Sequence, residues 1–497
     1  VKVACVGGGP AGLYLSILLK LRDPSHDITV HERNAEGTTY GWGVTYWRGL
    51  LDQLRAHDLE TARAVEASSV RWNEGVAHVR DLMTRRPGDE GHGIGRHRLL
   101  EILAERARSL GVRLEFGSTI SPDDLPGADL VVAGDGVHSA LRTRHADHFG
   151  TRIDSGRNRY LWLGTSKAFD AFTFAFVETD HGWIWCYGYG FGPDAGTCVV
   201  ECAPETWTGL GLDRAPEADG LALLEKLFAG ILDGHPLIGR PSADGSAPWL
   251  TFRTVTNRTW HRGNVVLIGD AAHTTHYSIG AGTTLALEDA IALAGALHER
   301  PALPEALAHY ERERRAALLS LQSAARHSAL WYENLPRYID LPPQQMFALL
   351  GQRHSPCCPT YRPSCTTGST GRPGSWRRCA ASSAGSGRRS RARCRAGRPA
   401  GSRALREQPV QGGVPEHPVG VEPLRHPGGP PPPLLPQEAS AAETVDHGPK
   451  PGAPRQQPLA RRADSLAWVK DSQDAAAEGP APRSRTANDR LTPWTSV

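Results

Sequence analysis

Long apolar runs are missing from this sequence, and so are paired cysteines and a strong charge of either sign. No stretch reaches 18 apolar residues, which argues against a membrane-crossing helix. No basic start leads into an apolar core with a small-residue cleavage site, which argues against export and makes the cytoplasm the expected location. A formal net charge of +3 supplies no field for holding nucleic acid or an acidic membrane, so neither is an expected partner. Cys5, Cys186, Cys198 and Cys202 show no CxxC spacing, and neither a zinc site nor a redox pair is expected from them; no metal is expected at all. The hydrophobic fraction is only 39%, and 22 of the 38 prolines follow Ser355. The deficit is therefore local, and the chain divides into a patterned region and a region without periodicity.

What is present begins with "VKVACVGGGPAGLYLSILLKL": a short apolar strand, a glycine turn, and a helical pattern with Leu13, Ile17 and Leu21 on one face. Gly7, Gly9 and Gly12 meet the GxGxxG spacing, which serves a tight turn, backbone approach to a pyrophosphate, and close packing of helix on strand. Pro10 and Ala11 complete this cofactor-binding turn at the helix start, where N–H groups favour an anion by about 0.3–2 kcal/mol. "HDITVHERN" adds a strand ending at Glu32, twenty residues past Gly12. A carboxylate there accepts both hydroxyls of an adenosine ribose; a solvated strand end is the plainer alternative, and Arg33 is a further cofactor-binding candidate. "ADLVVAGDGVHSALR" and "GNVVLIGDAAH" each end a strand on Gly-Asp, at Asp135 and Asp270. Ligands of open parallel sheets lie beyond the carboxyl ends of strands, so both carboxylates are placed to reach one long cofactor.

The order of "GGGPAG", "GDG" and "GDAAH" resembles the single-component aromatic flavoprotein hydroxylases related to p-hydroxybenzoate hydroxylase, over roughly residues 1–350. The resemblance implies FAD as cofactor, NADH or NADPH as transient electron donor, and O2 as oxidant. It implies an α/β fold: a Rossmann-like FAD-binding domain with an inserted, mainly antiparallel β-sheet substrate domain and a C-terminal helical segment. By it, Gly7, Gly9 and Gly12 bind pyrophosphate, Glu32 the adenosine ribose, and Asp270 a ribitol hydroxyl. Asp135 falls in the stretch used for both FAD and NAD(P)H, and Arg96 in "GIGRHRLLEIL" reaches the phosphate-ribose region. Gly43 and Val44 in "YGWGV" match the loop that touches the flavin ring, a bland turn being the alternative. Gly280 and Gly282 match a turn whose N–H groups face the pyrimidine edge of the flavin. This chain departs there, lacking a proline three residues before Gly280 and carrying Thr284 where asparagine is usual. His276 and Tyr277 are the candidates for drawing a proton from the substrate; a structural, hydrogen-bonded histidine is the other reading of His276.

Finer strings such as "YGWGVTYW", "YSIGAGTTLALEDAIAL" and "CVVECAPETW" are similar to the salicyloyl-CoA 5-hydroxylase and 2-aminobenzoyl-CoA monooxygenase group, with the violacein-pathway tryptophan hydroxylase near it. The expected substrate is thus an aromatic small molecule, first a CoA thioester. The leading expectation is 5-hydroxylation of salicyloyl-CoA to gentisyl-CoA, with 2-aminobenzoyl-CoA or tryptophan hydroxylation and a non-catalytic flavin-binding regulator as alternatives. No reductase-like α/β pattern follows, which favours simple hydroxylation. Halogenation is disfavoured: "GWIW" is followed by Cys186 and Tyr187 rather than Ile and Pro, and no lysine occurs between Leu21 and Gly150.

The expected organisation is a first FAD-binding segment over 1–152, with about 66–90 contributing to the substrate sheet, then the substrate domain over 153–258. A second FAD-binding segment over 259–300 and a helical segment over 301–355 follow. Residues 356–497 read as a low-complexity tail, either disordered or translated in a shifted frame: between Pro356 and Arg406 stand twelve arginines and no acid. Oligomeric state is left open.

Overall fold

A computed structural model of the chain describes residues 1–355 apart from Tyr40, 121–126 and 241–245. The expected tail, 356–497, lies outside the described residues. The strands are β1 (Lys2–Val6), β2 (Asp27–Glu32), β3 (Gly43–Trp47), β4 (Val70–Val79), β5 (Leu82–Gly95), β6 (Arg113–Phe116), β7 (Leu130–Ala133), β8 (Arg152–Thr165), β9 (Phe172–Thr179), β10 (Gly182–Gly192), β11 (Ala195–Cys202), β12 (Leu237–Ile238), β13 (Leu250–Thr256), β14 (His261–Arg262) and β15 (Val265–Leu267).

One sheet runs β14-β15-β7-β1-β2-β6, parallel except where β14 meets β15. Its central strands are near-continuous apolar runs because helices cover the sheet. Helix Pro10–Arg22 packs on Gly282–Glu299 and on Arg96–Ser109. The expected one-sided burial of Pro10–Arg22 is exceeded: every residue from Ala11 to Lys20 is buried, while Leu21 is exposed. Sandwiching between sheet and neighbouring helices explains this, and each buried leucine or isoleucine contributes about 1.5–3 kcal/mol before chain entropy is charged against it.

The second sheet runs β12-β8-β11-β10-β9-β4-β5-β3, with β13 also on β8. Its pairings are antiparallel except β4 with β9. More of the first hundred residues enters this sheet than the expected 66–90, since β5 extends to Gly95 and β3 joins it. Glycines hid that extension. A Cβ on Gly91 would lie 2.5 Å from the Trp72 indole, and one on Gly93 would lie 2.1 Å from the Gly190 carbonyl oxygen, so β5 is glycine-rich where side chains and backbones crowd it.

Helix Leu303–Glu333 serves both sheets. Its first half buries Leu307, Tyr310 and Leu318 in the core around β1. Its end places Trp331 and Tyr332 in a second core, with Phe174, Phe176, Tyr187 and Met346.

Candidate functional site

The glycine turn after β1 is built by close approach. Gly7 has φ +109°, and a Cβ there would stand 2.3 Å from the Gly134 carbonyl oxygen; a Cβ on Gly12 would stand 2.3 Å from the Gly7 carbonyl oxygen. Gly9, the residue before Pro10, has open space in front of it. Pro10 has no N–H to lose at the first helical position, so Ala11 and Gly12 present the first amides of the helix. Glu32 sits beside this turn, accepting from the Gly8 N–H at 2.8 Å, the Asn34 N–H at 2.9 Å and Asn34 Nδ2 at 2.6 Å. A carboxylate has about four lone-pair positions, so Glu32 braces the glycine turn and keeps capacity for one more donor. Arg33 is exposed at the strand end.

The two Gly-Asp strand ends lie side by side on β7 and β15 and differ in what their carboxylates do. Asp135 Oδ2 accepts from the Ala140 N–H at 2.7 Å, capping the short helix after β7. Asp270 shows no hydrogen bond to its carboxylate among the described residues; its side chain is accessible yet surrounded by protein. Burial raises the Asp270 pKa, against the pull of His273 and Arg96. Arg96 opens its helix between Glu32 and Asp270, and burial lowers its pKa against both carboxylates. Arg142 is 1% exposed and ties the strand ends together, donating to the carbonyls of Val137 at 2.6 Å and Ala271 at 3.1 Å. Arg142 closes the string "ADLVVAGDGVHSALR", and its role as a tie shows only in the folded chain.

Gly43 is held on both sides: its N–H donates to Thr197 Oγ1 at 2.9 Å and its carbonyl accepts from the Tyr189 hydroxyl at 2.9 Å. The Gly43 N–H is thereby taken, while its carbonyl keeps a second lone pair and Val44 keeps partial exposure. Gly280 has φ +61°, and a Cβ on it would lie 2.9 Å from Thr45 Oγ1, so β3 lies against this turn. Gly282 begins the Gly282–Glu299 helix with open space before it. Asp289 of that helix accepts from the Gly269 N–H at 3.0 Å and pairs with His273 Nε2 at 2.8 Å and Arg314 Nε at 2.7 Å. His273 is thereby a structural tether for the GDAAH turn.

His276 and Tyr277 are partly exposed in the short turn that precedes Gly280. His276 Nδ1 lies 2.8 Å from Ser278 Oγ and the ring stands 4.8 Å from Phe252. Burial, with help from Arg353, lowers its pKa to about 3. At neutral pH it is too weakly basic to hold a proton, so the expectation that it takes the substrate proton meets a physical obstacle. Tyr277 instead donates to Glu201 Oε2 at 2.6 Å, and its ring stands 4.6 Å from Tyr160. Glu201, on β11, was not anticipated. A lone acid in "AGTCVVEC" was the available signal, since strand alternation inside a covered sheet points it into a core.

An accessible carboxylate without a protein donor, a cation beside it, and glycines with open space at two helix starts suit a long phosphate-bearing dinucleotide with hydroxyl groups. Among the described residues there is no group of three side chains placed to hold a metal ion and no helix long and apolar enough to cross a membrane.

The family described as "FAD binding domain" matches residues 127–323. The chain is 38% identical over 363 residues to the salicyloyl-CoA 5-hydroxylase of Streptomyces sp, covering 70% of this chain and 69% of that one. It is 35% identical over 353 residues to the 3-hydroxy-4-methyl-anthranilyl-[aryl-carrier protein] 5-monooxygenase of Streptosporangium sibiricum, covering 71% and 94%. Among solved structures, tetrameric 2-methyl-3-hydroxypyridine-5-carboxylic acid oxygenase shares the fold, with a TM-score of 0.55 at 20% identity over 68% of this chain and 93% of that one.

Proposed function

The chain belongs to the FAD-dependent aromatic monooxygenases, and from that premise we propose that it hydroxylates an aryl thioester, first of all salicyloyl-CoA, at carbon 5 to give gentisyl-CoA. When bound, FAD accepts a hydride from NAD(P)H and supplies one oxygen atom of O2 to the ring. The protein holds the cofactor and the ring and handles protons. In our reading Gly9 and the Ala11 and Gly12 amides face the pyrophosphate, with Gly7 shaping the turn. Glu32 takes a ribose hydroxyl, Arg33 lies on the adenosine side, and Arg96 supplies positive charge between the two carboxylates. Asp270 takes a ribitol hydroxyl. Gly280 and Gly282 shape the turn and helix start beside the flavin ring, where Val44 is a contact. Asp135 and Gly43 act by fixing backbone rather than by direct contact.

The carrying observation is the partly exposed aromatic cluster of Tyr160, Tyr277 and Phe252, with Tyr160 near enough to Asp270 for that charge to raise its pKa; we read the cluster as one wall of a substrate cleft. Its aromatic wall suits a planar ring. The choice of salicyloyl-CoA leans on the likeness to the Streptomyces relative, and carbon 5 lies para to the phenol oxygen, where a phenolate directs an electrophile. The Streptosporangium relative favours a second reading, an aryl group carried on a protein-bound thioester. The test is to load the purified chain with FAD and follow NADH and NADPH oxidation with salicyloyl-CoA, 2-aminobenzoyl-CoA, aryl-pantetheine thioesters, free acids and tryptophan, with product masses. Coupled gain of one oxygen on salicyloyl-CoA supports the proposal. Turnover confined to another substrate overturns it in that substrate's favour, and NADH oxidation without any hydroxylated product favours a regulator.

A further inference from the structure

Glu201 is a carboxylate at 1% exposure inside the second core, and no described arginine or lysine forms an ion pair with it. Burying a lone charge is costly, so hydrogen bonds must hold it. They do: Oε2 accepts from the hydroxyls of Tyr277 at 2.6 Å and Tyr187 at 2.7 Å, and Oε1 accepts from Asn158 Nδ2 at 2.7 Å. Trp185 Nε1 donates to the Tyr187 oxygen at 3.1 Å. These four side chains come from β8, β10 and the turn that precedes Gly280.

The two tyrosines differ in access. Tyr187 is buried. Tyr277 keeps accessible surface at the cleft, beside Tyr160 and Phe252. Because the Tyr277 hydrogen is donated to Glu201, its oxygen keeps the capacity to accept a further hydrogen bond.

We propose that Glu201 is the proton store of the substrate cleft, receiving the proton of a ring hydroxyl through Tyr277. In this step the O–H bond of the substrate breaks as an O–H bond forms at the Tyr277 oxygen. The Tyr277 hydrogen passes to Glu201 Oε2, so negative charge moves from the carboxylate to the ring oxygen and no electrons change hands. The reverse shift restores the pair when the product's oxygen is reprotonated. Tyr277 touches the substrate and is the catalytic residue; Glu201 acts through it and is a positioning residue. The inference rests on the hydroxyaryl reading above, though not on which carrier bears the ring.

Two opposed forces poise Glu201 for this. Burial pushes its pKa up, while the hydrogen bonds from Tyr277, Asn158 and Tyr187 pull it down. Tyr277 stays a neutral phenol, since burial and the Glu201 charge both raise its pKa. The other titratable or charged groups around the carboxylate are Tyr160 from β8, Tyr187 from β10, Cys202 beside it, and Tyr332 with Arg353 next to that tyrosine. Burial raises all three tyrosines and Cys202, which leaves Glu201, itself raised by burial, as the carboxylate among them.

The test reads ionisation of bound phenols on the FAD-loaded protein, using 4-nitrophenol and salicyloyl-CoA as probes and 2-methoxybenzoyl-CoA as a proton-free control. Phenolate absorbance is followed against pH, and proton uptake is measured by calorimetry in two buffers of different ionisation enthalpy. The native protein is expected to ionise a bound phenol about one pH unit below its value in solution, a tenfold shift. Glu201→Gln and Tyr277→Phe are each expected to abolish that shift while KM changes less than threefold and kcat falls by tenfold or more. Glu201→Asp is expected to restore some of the shift, and two independent variants guard against misfolding of either. Ionisation of 4-nitrophenol without turnover of salicyloyl-CoA upholds the relay and removes the substrate reading. The relay is overturned if the native protein binds phenols without shifting them, if both variants keep the shift, or if none of the probes binds.

Discussion

Glu201 makes a prediction about stability whose sign differs from that of most carboxylates. Its folded pKa is raised above the ordinary 4.5, so the folded state gives up this proton less readily than the unfolded chain. The native protein therefore loses stability as pH rises from about 4.5 to the folded pKa and holds level beyond it. Glu201→Gln is expected to unfold at higher urea than the native protein at pH 8, with the gap closing toward pH 5, even as it loses activity. Gly280 supplies a second test: at φ +61° an alanine costs about 1–2 kcal/mol, so Gly280→Ala should lower the melting temperature and release flavin fluorescence earlier on heating. Residues of these two kinds are not equally legible. Gly7, Gly9 and Gly12 announce themselves within six positions, whereas Glu201 acquires meaning only when Asn158 and Tyr277, 43 and 76 residues away, fold around it.

The Gly282–Glu299 and Leu303–Glu333 helices are joined to the GDAAH turn through Asp289. Burial raises this carboxyl's pKa, but the charges of His273 and Arg314 and their hydrogen bonds outweigh it and leave the pKa below 3.8. Its contribution to stability is then present above about pH 3.8 and disappears as pH falls through the lower folded value. Asp289→Asn leaves Arg314 short of its buried partner and is expected to cost about 3–5 kcal/mol in urea unfolding at pH 7, with the difference from the native protein shrinking in acid. The Gly282–Glu299 helix is legible because Leu285, Ala286, Leu287, Ala290, Ile291 and Leu293 nearly surround it, the mark of a buried helix. The full length of β5 is not, since a run such as "GHGIG" has too few side chains to show alternation. The pattern over 301–355 predicts a helical segment, and the reach of Leu303–Glu333 to the second core through Trp331 and Tyr332 depends on a length that no local pattern assigns to two neighbours.

Among the described residues, the three apolar cores close within residues 1–350. A chain ended after Ser355 is accordingly expected to fold and bind FAD, which a visible spectrum and a single cooperative melt would check; an insoluble or colourless product would count against it. For 356–497 we propose a shifted reading frame from about codon 356; the match to the Streptomyces relative covers 70% of this chain and 69% of that one, and sequencing of the coding DNA decides it. The parallel union of β4 with β9, from Gly75 with Phe172 to Val79 with Phe176, also sets a timetable for biosynthesis. At about 5–20 residues per second a ribosome needs about 5–20 s to add the intervening hundred residues, and for that interval the β4 border stands bare. Cooler cultures and ample holdase should therefore raise the yield of correctly folded material more than any change made near the flavin.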